Sequence, residues 1–258
     1  MKVIILAAGQ GTRLWKYTRH NPKGMINFLG KPILKHQIDL FSKFGINDIT
    51  IVKGYQGEKI NFPSIKYYYN KEYSSTNMVE SLMCASDEFD EECIITYSDI
   101  LFDETLLEAL LSFDENIGVC VDKDFEDYWR MRLGNKYEED MEGLSIEENK
   151  ILSIGDSVSH FDKVDGRYVG ALKFSKKGLN LLVDYHKKNK SSSPLNSLGN
   201  RSFENWHMTD LLQGLIDDNN VINPIIISRG WLEFDTEKDY ENYNNWYKEG
   251  MIDRFVKI

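Results

Sequence analysis

The residues best suited to chemistry in this chain begin near its amino terminus. Leu6-Ala7-Ala8-Gly9-Gln10-Gly11-Thr12-Arg13 runs from an apolar stretch into a glycine-rich turn. Such a turn presents backbone N–H groups in a concave row, and glycine removes the Cβ that would keep an anion away. A bare Gly-x-Gly is equally the mark of a tight turn, but here two cations accompany it. Arg13 can fork onto two oxygens, and Lys23 is a compact point charge. Two cations at one triphosphate suit a reaction in which pyrophosphate leaves. The turn lacks the third glycine of a dinucleotide fingerprint and the Gly-Lys-Ser/Thr ending of a P-loop.

A carboxylate complements these cations. Cys93–Tyr97 reads as a strand, and Ser98-Asp99 follow it. A side chain at the carboxyl end of a buried strand projects into the crevice where α/β sheets bind ligands. Mg²⁺ takes hard oxygen ligands and borrows some from substrate phosphates. Asp103 is the better cap for the helix that follows, which leaves Asp99 for a ligand.

The elements that must hold these residues can be read from periodicity. Val3–Ala8 is a strand covered on both faces. Pro32 opens a helix with Leu34, Ile38, Phe41 and Phe44 on one face, ended by Gly45. Strands at Asp48–Lys53, Ile65–Tyr69, Cys93–Tyr97 and Ile117–Val121 alternate with helical patterns at Met78–Ala85 and Leu106–Leu111. The alternation predicts an α/β fold with a mostly parallel central sheet flanked by helices. After Asp122 the pattern changes. Ile151–Ile154, Tyr168–Phe174 and Ile222–Ser228 read as a smaller mixed β region beside the first half. Lys187–Asn200 reads as a mobile surface loop, and Tyr240–Lys257 as one or two helices.

The whole chain has 258 residues, 41% of them apolar, and a net charge of −10. That excludes a disordered chain and lacks the basic face of a general nucleic-acid binder. No apolar run approaches the roughly 18 residues of a membrane span. Cys84, Cys93 and Cys120 lie far apart, so neither a disulfide framework nor a zinc site is expected, and a reducing cytoplasm fits.

The amino-terminal string, Pro22-Lys23 and Gly30-Lys31-Pro32-Ile33-Leu34 together resemble the nucleotidyltransferase family that includes sugar-1-phosphate nucleotidyltransferases and phosphocholine cytidylyltransferases. Lys16 departs from the pattern, which usually has proline there. The resemblance implies a Rossmann-like GT-A-type fold in a single domain, 1–258. Its nucleotide-binding half would be 1–121, its acceptor half 122–236, and its carboxyl-terminal helices 237–258. It makes Arg13 and Lys23 catalytic and Asp99 a Mg²⁺ ligand. It adds Asp235, in Gly230-Trp-Leu-Glu-Phe-Asp-Thr236, as the second ligand; the alternative is that Asp235 caps the helix Glu237–Tyr247. The nucleotide would lie on Leu6–Thr12 and Ser98. Gly54-Tyr55 and Ser75-Thr76-Asn77 would flank its base, although Ser75 or Thr76 would also serve as a helix cap. The Ser74–Asn77 segment looks like the cytidylyltransferase branch, because it lacks the Q-x-x-x-x-G-T-A-like stretch of the sugar branch.

The resemblance places the acceptor on Asp122, Trp129, Arg130, Arg132, Glu142, Tyr168, Gly170, Trp231 and Glu233. Arg130 or Arg132 would meet its phosphate, and Glu142 or Glu233 an amine. Trp129, Tyr168 and Trp231 offer a cation–π cage for a quaternary ammonium, or else are core. The expected reaction is Mg²⁺-dependent transfer of CMP from CTP to a small phosphate or phosphonate of the glutamine phosphate, 2-aminoethylphosphonate or phosphocholine kind. The expected setting is cytoplasmic surface-polysaccharide decoration by a monomer or homodimer, with no nucleic-acid or membrane partner. The alternatives are a sugar-1-phosphate uridylyl- or thymidylyltransferase and a non-catalytic nucleotide-binding regulatory module.

Overall fold

The first strand shows why the fold has two cores. In the computed structural model, which describes residues 1–138, 141–157, 164–192 and 201–258, all six residues of β1 (Lys2–Ala7) are buried. Side chains alternate along a strand. Val3, Ile5 and Ala7 therefore enter one apolar cluster, and Ile4 and Leu6 the other.

The remaining strands are β2 (Asn27–Phe28), β3 (Lys31–Pro32), β4 (Ile49–Lys53), β5 (Lys66–Tyr69), β6 (Cys93–Tyr97), β7 (Ile100–Phe102) and β8 (Ile117–Asp122), then β9 (Glu142–Glu147), β10 (Lys150–Ser157), β11 (Arg167–Phe174), β12 (Asn223–Ile227) and β13 (Trp231–Glu233). The helices are α1 (Trp15–Thr18), α2 (Ile33–Lys43), α3 (Met78–Met83), α4 (Glu104–Ser112), α5 (Phe125–Leu133), α6 (Lys176–Ser192), α7 (Met208–Asp217) and α8 (Glu237–Lys248). Seven strands form the main sheet in the order β12-β8-β11-β6-β1-β4-β5. All pair in parallel except β11, which runs antiparallel to both β6 and β8. The chain leaves β1 for β4 on one side and returns to β6 on the other. The carboxyl ends of β1 and β6 thus flank the topological switch point, where such sheets bind ligands.

Two expectations change. Tyr168–Phe174 and Ile222–Ser228 do not form a separate smaller region, because β11 lies inside the main sheet and β12 extends its edge. Of the three expected segments, Ile151–Ile154 alone lies outside that sheet, in the β9–β10 hairpin; β7–β13 and β2–β3 form two further short ladders. The polar stretch 187–192 is the end of α6 rather than a loop, and 193–200 lies outside the described residues. The helix from Pro32 is α2, which buries Leu34, Ile38 and Phe41 and stops before Gly45 at φ +77°.

One buried carboxylate ties the sheet edge to its centre. Glu88 accepts hydrogen bonds from Lys66 Nζ (2.7 Å), Tyr68 Oη (2.7 Å) and Lys2 Nζ (3.1 Å). Burial pushes its carboxyl up, but these donors outweigh burial and hold it at about 2. The folded value is depressed, so its stabilising contribution is present above the ordinary 4.5 and is lost as pH falls through about 2. We expect Glu88→Gln to lower stability by about 2–3 kcal/mol at neutral pH, with the gap to the native protein closing in acid. Urea unfolding at a series of pH values checks this, and a pH-independent gap would contradict it.

Candidate active site

The glycine-rich turn is braced from both sides. Ala8 O accepts from Tyr55 N at 3.0 Å, and a Cβ on Gly54 would lie 2.5 Å from that same oxygen. Gly54 and Tyr55 therefore buttress the turn instead of lining the cleft. Gly11 adopts φ +64°, and any side chain there would press on Thr18 and on the stem of Lys23. Its carbonyl accepts from Thr18 Oγ1 at 2.8 Å. Lys16 N donates to Glu237 Oε1 at 2.9 Å, so the position where the family usually has proline uses an N–H that proline lacks.

Asp99 is placed by a buried amide. Gln37 Nε2 donates to Tyr97 O (2.8 Å) and Ile100 O (2.6 Å), while its Oε1 accepts from Thr96 Oγ1 (3.0 Å). These bonds clamp the backbone on both sides of Ser98-Asp99. The β7–β13 ladder pairs Ile100 with Glu233, and Phe234 N donates to Asp99 O at 2.8 Å. That pairing brings Asp235 beside Asp99. The cap of α8 is Thr236, in a capping box with Asp239, so Asp235 does not cap that helix.

The cations meet the carboxylates directly. Lys23 Nζ lies 2.7 Å from Asp99 Oδ2 and 2.9 Å from Asp235 Oδ1, and Arg13 Nη1 lies 2.7 Å from Asp235 Oδ2. Burial would lower the Lys23 pKa, but Asp99 and Asp235 outweigh it and hold the ammonium protonated. Asp235 is shifted up by burial and by Glu233, against the pull of Lys23 and Arg13.

These groups open onto a cleft of about 410 Å³. It takes in Leu6, Ala8, Gly9, Gly11 and Thr12 from the turn, Thr76 and Asn77 from the segment before α3, and Ser98. From the acceptor set it takes Glu142, Tyr168, Gly170, Trp231 and Glu233. Ala7, Gln10 and Ser75 are not among its lining residues. Ser75 is exposed and turns back on Glu72 O. Asn77 caps α3, its side chain accepting from Met78 N at 2.8 Å.

Four acceptor candidates face elsewhere. Trp129 is fully buried beneath the guanidinium groups of Arg167 (4.1 Å) and Arg132 (4.6 Å), so it cannot wall a cage for a ligand. Arg130 lies over the Tyr137 ring and near Glu126, on the outer face of α5. Arg132 is buried and binds Asp239 through Nε (2.8 Å) and Nη2 (2.9 Å), with Nη1 on Glu233 (2.5 Å). Asp122 is buried and accepts from Trp231 Nε1 (2.8 Å) and Arg229 N (3.0 Å), an internal tie. Conversely, Tyr73, Tyr97, Arg167, His207 and Thr209 line the cleft and were not singled out. Tyr97 and Arg167 sit one residue from chosen positions. His207 and Thr209 come from the start of α7, which carries no motif.

Residues 3–160 match the MobA-like NTP transferase domain. The chain belongs to that family. Along its length this NTP transferase is 31% identical over 252 residues to CTP:phosphoglutamine cytidylyltransferase of Campylobacter jejuni, covering 93% of this chain and 98% of that protein. It is 37% identical over 106 residues to choline-phosphate cytidylyltransferase of Streptococcus pneumoniae, covering 40% of this chain and 46% of that one. Its fold matches the solved CTP:phosphocholine cytidylyltransferase of Streptococcus pneumoniae with a TM-score of 0.73 at 21% identity, over 95% and 98% of the two chains. It also matches the inositol-1-phosphate CTP transferase of T. maritima with a TM-score of 0.70 at 22% identity, over 100% and 98%. The NTP transferase is thus a nucleotidyltransferase enzyme with the expected Rossmann-like α/β fold.

In this NTP transferase Arg132 supports the site from behind. Arg132→Met leaves Asp239 buried without its bidentate partner. We expect a loss of about 3–5 kcal/mol in denaturant unfolding, with Arg132→Lys intermediate because an ammonium cannot fork. Native-like stability with only a raised KM for the acceptor would return Arg132 to the substrate.

Proposed function

We propose that the chain is a CTP-dependent cytidylyltransferase that transfers CMP to the phosphate of a small acceptor of the glutamine phosphate kind. The observation that carries this is the cluster of Lys23, Arg13, Asp99 and Asp235 at the mouth of the glycine-rich turn. In this reading the turn's N–H groups and the two cations hold the triphosphate. An oxygen of the acceptor's phosphate forms a bond to the α-phosphorus. The bond from that phosphorus to the bridging oxygen breaks, and its electron pair leaves with pyrophosphate. The attacking oxygen is already anionic, so no general base is required, and the protein contributes positioning and charge neutralisation.

The donor set fits Mg²⁺. One ammonium touches both Asp99 and Asp235, so the two carboxylates stand close together. Mg²⁺ is usually held by one or two carboxylates, with phosphates and water completing its shell. Among the described residues no cluster of three or more acidic, histidine or cysteine side chains would hold a metal unaided. Asp99 and Asp235 would therefore hold the ion together with the nucleotide's phosphates, and the ion would supply charge neutralisation on the phosphoryl oxygens. The preference for CTP is supported by the cytidylyltransferase relatives and by Ser74–Asn77, where the sugar-branch stretch is missing. Use in surface-polysaccharide decoration in the cytoplasm is the setting this reading carries with it. No helix among the described residues is long and apolar enough to cross a membrane.

Pyrophosphate release should be faster with CTP than with UTP, dTTP, ATP or GTP, by about tenfold or more in kcat/KM, when glutamine phosphate is the acceptor. Efficient transfer to glucose-1-phosphate from UTP or dTTP, with none from CTP, would assign the chain to the sugar branch. The shared carboxylates make a second, separate test. Lys23→Ala frees Asp99 and leaves Asp235 with Arg13 alone, so Mn²⁺ without nucleotide should bind about tenfold more tightly, while Mn²⁺–CTP binds more weakly. Calorimetric titration reads both, and an unchanged affinity for Mn²⁺ alone would mean that these carboxylates are not the metal's.

A further inference from the structure

The cleft wall opposite the glycine-rich turn contains a cation that the reaction at the triphosphate does not use. Arg167 opens β11 and pairs in register with Asp122 at the carboxyl end of β8. Strand β6 stands between β11 and β1. Two strand spacings, about 10 Å, therefore separate this wall from the turn that receives the triphosphate. The acceptor must approach from this side, because in-line attack comes from opposite the departing pyrophosphate.

We propose that Arg167 reads the acceptor, and that the group it reads is a carboxylate distant from the reacting phosphate. This inference rests on the cytidylyltransferase reading above. Three observations support it. Arg167 is 7% exposed yet lines the cleft, and its guanidinium lies 4.1 Å from the Trp129 ring centroid. The stack fixes the plane of a fork that matches a carboxylate through two parallel hydrogen bonds. The same ring carries Arg132 at 4.6 Å, so both cations occupy Trp129 and it cannot wall a choline headgroup. Glu142 and Tyr168 line the same wall. Arg167, Glu142 and Glu233 give this wall both signs, which suits an α-amino acid: Arg167 takes the carboxylate and Glu142 the ammonium. Choline phosphate and ethanolamine phosphate lack the group that Arg167 would bind.

The test uses matched acceptors with the full chain, CTP and Mg²⁺. Glutamine phosphate is compared with its decarboxylated counterpart, 4-aminobutanamide phosphate, and with choline phosphate. The native enzyme should prefer glutamine phosphate to the decarboxylated compound by about 100-fold or more in kcat/KM. Arg167→Gln should remove most of that preference by lowering kcat/KM for glutamine phosphate at least about tenfold more than for the decarboxylated acceptor. Arg167→Lys, which keeps the charge and loses the fork, should fall between them. Thermal unfolding of each variant shows whether the buried substitution has instead damaged the fold. Equal losses on both acceptors would assign Arg167 to the reacting phosphate or to structure, and overturn the proposal. So would a native enzyme indifferent to the carboxylate, or one that prefers choline phosphate. Failure of the underlying reading looks different: CTP gives no pyrophosphate with any acceptor. The acceptor pair is then run with whichever nucleoside triphosphate reacts, and transfer only to sugar phosphates overturns both readings.

Discussion

The interaction on which this site depends is one ammonium held between two carboxylates. Asp99 and Asp235 would repel each other in a half-enclosed cleft, and burial alone would drive one of them to take up a proton. Lys23 touches both, and Arg13 adds a second contact to Asp235. The surrounding structure brings these four residues together. Gln37 clamps the end of β6, the β7–β13 ladder delivers Asp235, and Gly11 packs on the stem of Lys23. The charges of these four residues therefore balance one another. On the cytidylyltransferase reading proposed above, a nucleotide with its metal would exchange partners instead of entering a vacant charged site: the cations would gain phosphates and the carboxylates would hold the ion.

The first strands and the glycine-rich turn were largely legible in the sequence because their determinants are local. β1 is an unbroken apolar run that must be a central strand, and the glycines, Arg13 and Lys23 follow within one short loop. Asp99 is legible because Asp103 takes the capping role, which the structure shows in its bond from Thr105 N. Asp235 is different. Nothing local distinguishes it from a helix cap, and only the long-range pairing of β13 with β7 settles its position. The antiparallel insertion of β11 between β6 and β8 is also a property of strand order, which hydrophobic periodicity does not encode.

The residues expected to meet an acceptor were read less well, for a physical reason. Trp129, Arg130 and Arg132 are neighbours in sequence, but residues one and two apart on a helix do not share a face. Arg130 consequently points outward to Glu126 and Tyr137, and Arg132 points inward to Asp239 and Glu233. A charged and aromatic run reads alike in sequence whether its members meet a ligand, water or each other. Asn77 shows the same ambiguity: it lines the cleft and caps α3 at once.

The two halves also differ in what holds them. The turn and Asp99 are set by parallel strands of the central sheet, and Asp235 by the antiparallel β7–β13 ladder and contacts to backbone, so they come with the fold. The far wall is set by side chains stacked on one another. Trp129 lies under two guanidiniums, Arg132 binds Asp239 and Glu233, and Tyr97 shares a hydrogen bond with Tyr168. Burial pushes the Glu233 carboxyl up, but Arg132 and Arg167 outweigh burial and hold it well below the usual range, so it stays charged beside Asp235. On the proposed reading, exchanging a few of these side chains would change the acceptor without disturbing the triphosphate pocket. A fold alone therefore does not name the substrate, and the choice of acceptor has to be read from the charges of that wall.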